Sequence, residues 1–155
     1  MNEPINKSMS QSFAKLEEQL EKAMAVQTAM ILFEWDNETL APREAAERTA
    51  RVIGSLSGQY LDIITGETVK KLLKQCRKEE ELLTQTQRAV VREVEEELEK
   101  LQGIPADEYR KFAELTARAT GIWADARKKK RFDLFAPVLK EIVDYQKRFA
   151  SYRAK

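Results

Sequence analysis

The stretch that decides the fold spans residues 45–64 and reads AAERTARVIGSLSGQYLDII. Its apolar residues recur at steps of three and four, which is the period of a helix with one buried face. The stripe consists of Ala45, Ala46, Thr49, Val52, Ile53, Leu56, Tyr60 and Ile64. Small residues in the same segment would let a neighbouring helix approach closely: Ala46, Ala50, Gly54, Ser57 and Gly58. Each glycine costs about 1 kcal/mol of helix propensity relative to alanine, and tight packing is expected to offset that cost.

A first helix is predicted from about Ser8 to Phe33, and a break is expected around residues 35–42. Its stripe consists of Phe13, Leu16, Leu20, Met24 and Ile31. The most apolar window, residues 23–33, contains Gln27 and Thr28. It is also much shorter than the roughly 20 apolar residues that cross a bilayer. We interpret it as a buried helix end, and no membrane association is expected.

Four shorter stripes complete the pattern and predict about six helices in an antiparallel, all-α array. The third carries Val69, Leu72, Leu73 and Cys76, and a turn is expected near Thr84. The fourth carries Val90, Val91, Val94, Leu98 and Leu101 and ends at Gly103, a residue type that favours the left-handed cap conformation. The fifth starts at Pro105, with Tyr109, Phe112, Ala113, Thr116, Ala119 and Trp123 on its core face. The sixth starts near Asp133 and carries Phe135, Val138, Leu139, Ile142, Phe149 and Tyr152.

Composition excludes several classes of site. The 155 residues contain no histidine, so this sequence cannot form a His-Glu-x-x-His zinc site or an imidazole-dependent triad. The single cysteine, Cys76, is predicted to be a buried core residue, and a reducing cytoplasm is the expected compartment. The glutamates of residues 93–99 are interpreted as the solvated face of the fourth helix. No catalytic and no metal-binding residue is therefore predicted in this chain.

Charge gives no indication of a nucleic-acid partner. The 27 basic and 26 acidic side chains leave a formal net charge of +1, whereas nucleic-acid-binding domains are usually strongly basic. The basic run of residues 127–131, flanked by Trp123 and Phe132, could contact phosphates. We interpret it as a solvated helix junction, because Asp125 and Asp133 offset it locally.

The segment of residues 33–42, FEWDNETLAP, is the least regular place in the sequence. Trp35 beside Asp36 suggests a fixed corner, with the indole packed inward and the carboxylate accepting nearby hydrogen bonds. The alternative is that Trp35 or Asp36 faces a ligand groove.

Several motifs in order resemble the start of the Taq-type thermostable carboxypeptidases. They are EWDNETLAP at residues 34–42, AAER at 45–48, GSLS at 54–57, Ile104-Pro105 leading into Tyr109, WADAR at 123–127 and FDLFAPVL at 132–139. The similarity extends from about residue 12 to residue 152. The family resemblance implies a cytoplasmic, mostly helical, metal-dependent carboxypeptidase, usually homodimeric, that uses zinc or cobalt.

The same resemblance implies that residues 1–155 are a single helical domain that walls the substrate groove. The metal ligands of the family lie beyond the matched region, so no cofactor is expected in this chain. Trp35, Asp36, Thr39 and Pro42 keep their motif positions, where they are structural or line the groove.

Two hypotheses for function follow. The chain is either the N-terminal segment of the peptidase, inactive alone, or a free-standing helical interaction module. Its expected partners are the missing C-terminal part or a second copy of itself, and a peptide substrate only in the complete enzyme. The apolar end of the first helix, together with Phe149 and Tyr152 on the sixth, is expected to be exposed and to cause self-association.

Overall fold

The computed structural model describes residues 10–153 and contains six α-helices and no strand within that range. The helices are α1 (Gln11–Thr39), α2 (Ala46–Ile64), α3 (Glu67–Lys78), α4 (Gln85–Leu101), α5 (Ala106–Lys129) and α6 (Ala136–Arg153). Short 3-10 turns span Arg43–Ala45, Glu80–Leu82 and Phe132–Leu134. The predicted all-α class and its six helices are confirmed. The predicted start at Ser8 lies outside the described residues.

Helix α1 continues through the break predicted at Trp35 and ends at Thr39, so that prediction is wrong. The reason is that residues 11–41 contain neither glycine nor proline. Pro42 is the first residue that cannot extend the helix, because its ring removes the backbone donor. At 29 residues α1 is the longest helix of the fold, about 43 Å at 1.5 Å per residue.

Helices α1, α2, α5 and α6 pack side by side in alternating directions. The start of α2 lies beside the end of α5, where the Arg118 guanidinium is 3.2 Å from Glu47 Oε1. The start of α5 meets the end of α6, where the Tyr152 hydroxyl donates to Glu108 at 2.8 Å. Ala23 of α1 packs in one cluster with residues at the end of α2. The predicted antiparallel array is therefore observed.

Two apolar clusters form the core. One joins Phe13 and Leu16 of α1 to α3 and α4, and Cys76 is fully buried within it as predicted. The other lies among α1, α2, α5 and α6; in it the rings of Phe112 and Phe149 are in edge contact at 5.2 Å.

Polar contacts fix the start of α1 against the end of α3. Ser10 caps α1, and its hydroxyl donates to Glu79 Oε2 at 2.5 Å. The Ser12 hydroxyl donates to the other carboxylate oxygen at 2.8 Å. These two hydrogen bonds lower the pKa of the Glu79 carboxyl. The sequence pattern gave no indication of this anchor.

Close helix approach explains some glycines and not others. A Cβ at Gly54 would lie 2.4 Å from Glu114 Cγ, so a side chain of α5 lies against this residue of α2. Gly58 has open space around it, so the same expectation is wrong there. Gly103 lacks the predicted left-handed conformation. Its Cβ would instead lie 3.1 Å from the Tyr152 carbonyl oxygen, so the small residue admits α6.

The two glycines of α2 provide a matched test of helix packing. We expect Gly58→Ala to raise the free energy of unfolding by about 1 kcal/mol through helix propensity. Gly54→Ala should gain less than Gly58→Ala, because the new methyl has to displace the Glu114 side chain. Adding Glu114→Ala to Gly54→Ala should restore the gain. Urea unfolding of the four proteins measures this, and equal effects of both single alanines would contradict the close approach.

Candidate functional site

The motif segment forms a rigid corner at the end of α1. The Thr39 hydroxyl donates to the Trp35 carbonyl oxygen at 2.6 Å. The backbone N–H groups of Leu40 and Ala41 both donate to the Asp36 carbonyl oxygen at 2.9 Å. Pro42 then starts an extended step into the 3-10 turn. Thr39, Asp36 and Pro42 thus define where α1 stops.

Two details of this corner differ from the sequence interpretation. Trp35 is 58% exposed, so the expected inward packing of its indole is wrong for this chain by itself. The acceptor at Asp36 is its backbone carbonyl, whereas the expectation was the carboxylate. An ion pair of 2.9 Å between Arg43 and Asp125 fixes the corner against the end of α5. Whether the four motif residues line a groove stays a prediction.

An exposed apolar strip runs along the second half of α1. It consists of Met24, Ile31, Leu32 and Trp35, which we call the distal face of α1. The interpretation of this window as a buried helix end is wrong, because the cluster with α3 and α4 extends only as far as Leu20. The other expectation for this helix, that its apolar end is exposed, agrees with the structure. The expectation for α6 is wrong: Phe149 is buried and Tyr152 is hydrogen-bonded to Glu108.

A cleft of about 460 Å³ opens between α1, α2 and α4. Tyr60, Glu93 and Glu97 are among its lining residues. Burial, with a smaller effect of the Glu97 charge, raises the pKa of Tyr60. Burial together with Tyr60 and Glu97 raises the pKa of Tyr109 to about 12. Tyr60 therefore lines the cleft with a phenol that ionises only at higher pH than a free tyrosine; sequence analysis missed this because Tyr60 was predicted on the core stripe of α2.

The glutamates of α4 are solvated and Cys76 is a core residue, as predicted. The glutamates of residues 93–99 are exposed or half-buried on α4, and Glu95 accepts from Arg77 Nε at 2.9 Å. Burial raises the pKa of the Cys76 thiol, which keeps it protonated and unreactive. Within residues 10–153, no group of three or more His, Cys, Asp or Glu side chains is arranged to hold a metal ion.

The basic run forms an exposed corner between α5 and α6. Residues 127–131 are all exposed, which confirms the helix-junction interpretation, and Arg131 Nε donates to Asp133 at 2.8 Å. The left-handed cap that ends α5 is Lys130, at a φ of 55°. Trp123 was predicted in the core but is 46% exposed, with the Arg127 guanidinium 5.2 Å from its ring centre. A cleft of about 300 Å³ lies between these side chains and Phe135.

Comparisons with known proteins identify the family to which this helical array belongs. The profile of the family described as Carboxypeptidase Taq (M32) metallopeptidase matches residues 15–155. The chain belongs to this family. Carboxypeptidase 1 of Bacillus subtilis is 32% identical over 124 residues, which are 80% of this chain and 25% of that protein. Thermostable carboxypeptidase 1 of Pyrococcus furiosus is 26% identical over 147 residues, covering 95% of this chain and 28% of the relative.

Solved structures agree with the family assignment. The structure titled BsuCP Crystal Structure superposes with a TM-score of 0.87 at 28% identity, covering 91% of this chain and 28% of that one. The Pyrococcus furiosus carboxypeptidase structure has a TM-score of 0.68 at 22% identity, over 95% of this chain and 29% of that one, and shows likeness of fold. The chain therefore spans roughly a quarter of the length of the family members that it matches. Among the helices described, none is long and apolar enough to cross a membrane.

The shifted pKa of Tyr109 predicts a loss of stability at alkaline pH. Burial raises the pKa of Tyr109 to about 12 in the folded protein, whereas the pKa of a free tyrosine side chain is 10.0. Its contribution to stability is therefore complete below pH 10 and is lost as the pH rises through about 12. We expect Tyr109→Phe to show a smaller fall in Tm across this window. In an ultraviolet titration the substitution should remove the last tyrosine step, and Tyr152→Phe should retain it.

Proposed function

We propose that this chain is the N-terminal helical segment of a metal-dependent carboxypeptidase that releases C-terminal residues from peptides. The observation that carries the proposal is the family match over residues 15–155 by a chain that spans only about a quarter of its relatives. The chain supplies scaffold, and the remaining part supplies the chemistry. A cytoplasmic location for the complete enzyme belongs to the same proposal.

The residue types present support this division. Catalytic zinc takes three protein ligands, drawn from His, Asp, Glu and Cys, plus a water. This sequence has no histidine, and its one cysteine is buried against leucines. The residues present do not fit a zinc or cobalt centre, so we assign none to this chain. When bound in the complete enzyme, such an ion would polarise the scissile carbonyl and acidify water.

The contribution of this segment is to wall the peptide groove. The corner at Asp36, Thr39 and Pro42 is fixed by backbone hydrogen bonds and joined to α5 by the pair Arg43–Asp125. A surface held by two helices keeps its shape when a flexible peptide lies beside it. The proposed partners are the remaining part of the enzyme or a second copy of the chain, with the peptide binding only to the complete enzyme.

Metal content and peptidase activity of the purified chain test this division. After dialysis we expect far less than one zinc or cobalt ion per chain, and no release of C-terminal amino acids from a peptide with either metal added. Carboxypeptidase 1 of Bacillus subtilis, assayed in parallel, is the positive control. Stoichiometric metal or sustained turnover by this chain would contradict the proposal.

A hybrid protein distinguishes the two hypotheses, a segment of the peptidase or a free-standing interaction module. In it, the 124 matched residues of the Bacillus subtilis relative are replaced by those of this chain. We expect the hybrid to fold and to release C-terminal residues. A folded hybrid without activity would favour the interaction module.

A further inference from the structure

Apolar residues recur on one face of α1, and other helices cover them over only part of its length. Phe13, Leu16 and Leu20 follow one another at steps of three and four, and Met24 follows at the next step of four. Ile31 and Trp35 continue on the same face, seven and eleven residues beyond Met24. Between Met24 and Ile31 this face carries the polar residues Gln27 and Thr28, and its apolar character resumes at Ile31.

The cover of this stripe stops midway. Phe13 and Leu16 are buried under the layer of α3 and α4, and Leu20 is partly buried at its edge. Beyond that point Met24 is 62% exposed and Ile31 57% exposed. Apolar side chains of this size gain free energy when a second layer removes them from water. The distal face thus has the geometry of a helix-packing surface that lacks its second layer.

The charges around the distal face indicate which side chains a second layer would carry there. Glu34, Asp36 and Glu38 lie in the last turns of α1, and residues 23–42 contain no lysine or arginine. The carbonyl end of a helix carries partial negative charge and favours cations, so these acids are unfavourably placed. Within residues 10–153 none of the three carboxylates takes part in a recorded ion pair. An occupant with basic side chains would neutralise them.

We propose that the distal face of α1 is the docking surface for the remaining part of the carboxypeptidase, through a helical segment that carries an apolar stripe flanked by Lys or Arg. This inference rests on the proposed function. The space for such an occupant follows from the comparisons, since about three quarters of each relative lies outside the matched segment. The docked segment extends the layer of α3 and α4 along α1.

A second copy of the chain fits the distal face less well. In a two-fold symmetric contact the same patch occurs on both partners. Glu34, Asp36 and Glu38 of one copy would then approach the same acids of the other, without a basic residue in either strip. Like charges opposed in this way oppose association. The charge pattern therefore selects the heterologous occupant.

Ile31→Lys tests the apolar part of the surface, with Leu82→Lys as control. Leu82 is similarly exposed, at 48%, but lies in the turn after α3. In the isolated chain we expect both substitutions to leave Tm and oligomeric state unchanged. In the hybrid with the Bacillus subtilis relative, Ile31→Lys should lower Tm by several degrees, whereas Leu82→Lys should have little effect.

The double variant Glu34→Gln and Glu38→Gln tests the charged part of the surface, because its effect on Tm should have opposite signs in the isolated chain and in the hybrid. In the isolated chain Tm should rise, because two acids leave the negative end of the helix. In the hybrid Tm should fall, because the basic groups of the docked segment lose their partners.

Four results from the variants would overturn the docking proposal. In the isolated chain, they are a lower Tm or a changed oligomeric state on Ile31→Lys. In the hybrid, they are equal Tm values for Ile31→Lys and Leu82→Lys, or a higher Tm for the double variant Glu34→Gln and Glu38→Gln. A hybrid that fails to fold while the isolated chain folds would also contradict it. A hybrid that shows the expected Tm changes but no peptidase activity would contradict the proposed function and leave the docking surface in place.

Discussion

The close approach of α5 to α2 at Gly54 is the constraint on which the layer depends. The Glu114 side chain of α5 lies where a Cβ at residue 54 would be, so a larger residue there would have to displace it. The pair Glu47–Arg118 and the pair Arg43–Asp125 follow along the same two helices. Such exposed pairs contribute little to stability. They select the register and relative direction of α2 and α5, while steric fit sets the distance between the two helices. With α2 and α5 fixed, α1 and α6 flank them.

The two ends of α1 experience different surroundings as a result. Near its start, α3 and α4 return to the helix, and the hydrogen bonds from Ser10 and Ser12 to Glu79 fix that end. Near its end, the turn at Pro42 leads into α2, and the Arg43–Asp125 pair fixes that turn against α5. The helix is nevertheless continuous, since nothing in residues 11–41 interrupts its backbone hydrogen bonds. A long helix that is firmly packed at one end can thus present a regular, exposed strip at the other.

The spacing of apolar residues predicted the helices and most of the core, because residues three and four positions apart lie on the same face of a helix and indicate which face is buried. It failed where burial depends on distant elements. Trp123 follows the core stripe of α5, yet no described helix covers it. Met24 and Ile31 follow the stripe of α1, yet both are exposed: the cluster with α3 and α4 extends only to Leu20, and Met24 lines the cleft between α1 and α4. The end of α1 was missed for another reason: the Trp-Asp pair was interpreted as a corner, although the helix continues through it to Thr39, just before Pro42.

Trp35 belongs to both the motif segment and the distal face, and this overlap bears on how a family motif is interpreted. Thr39, Asp36 and Pro42 have local reasons for their positions, since the Thr39 hydroxyl, the Asp36 carbonyl and the ring of Pro42 together end the helix. Trp35 contributes only its carbonyl to that corner, so its large exposed indole has no local role. An aromatic side chain gains most from burial in an apolar contact, and it is enriched at the centres of interfaces for that reason. On the docking proposal, the motif therefore combines two functions: its polar and cyclic residues shape the corner, and its tryptophan holds the segment that docks beside it.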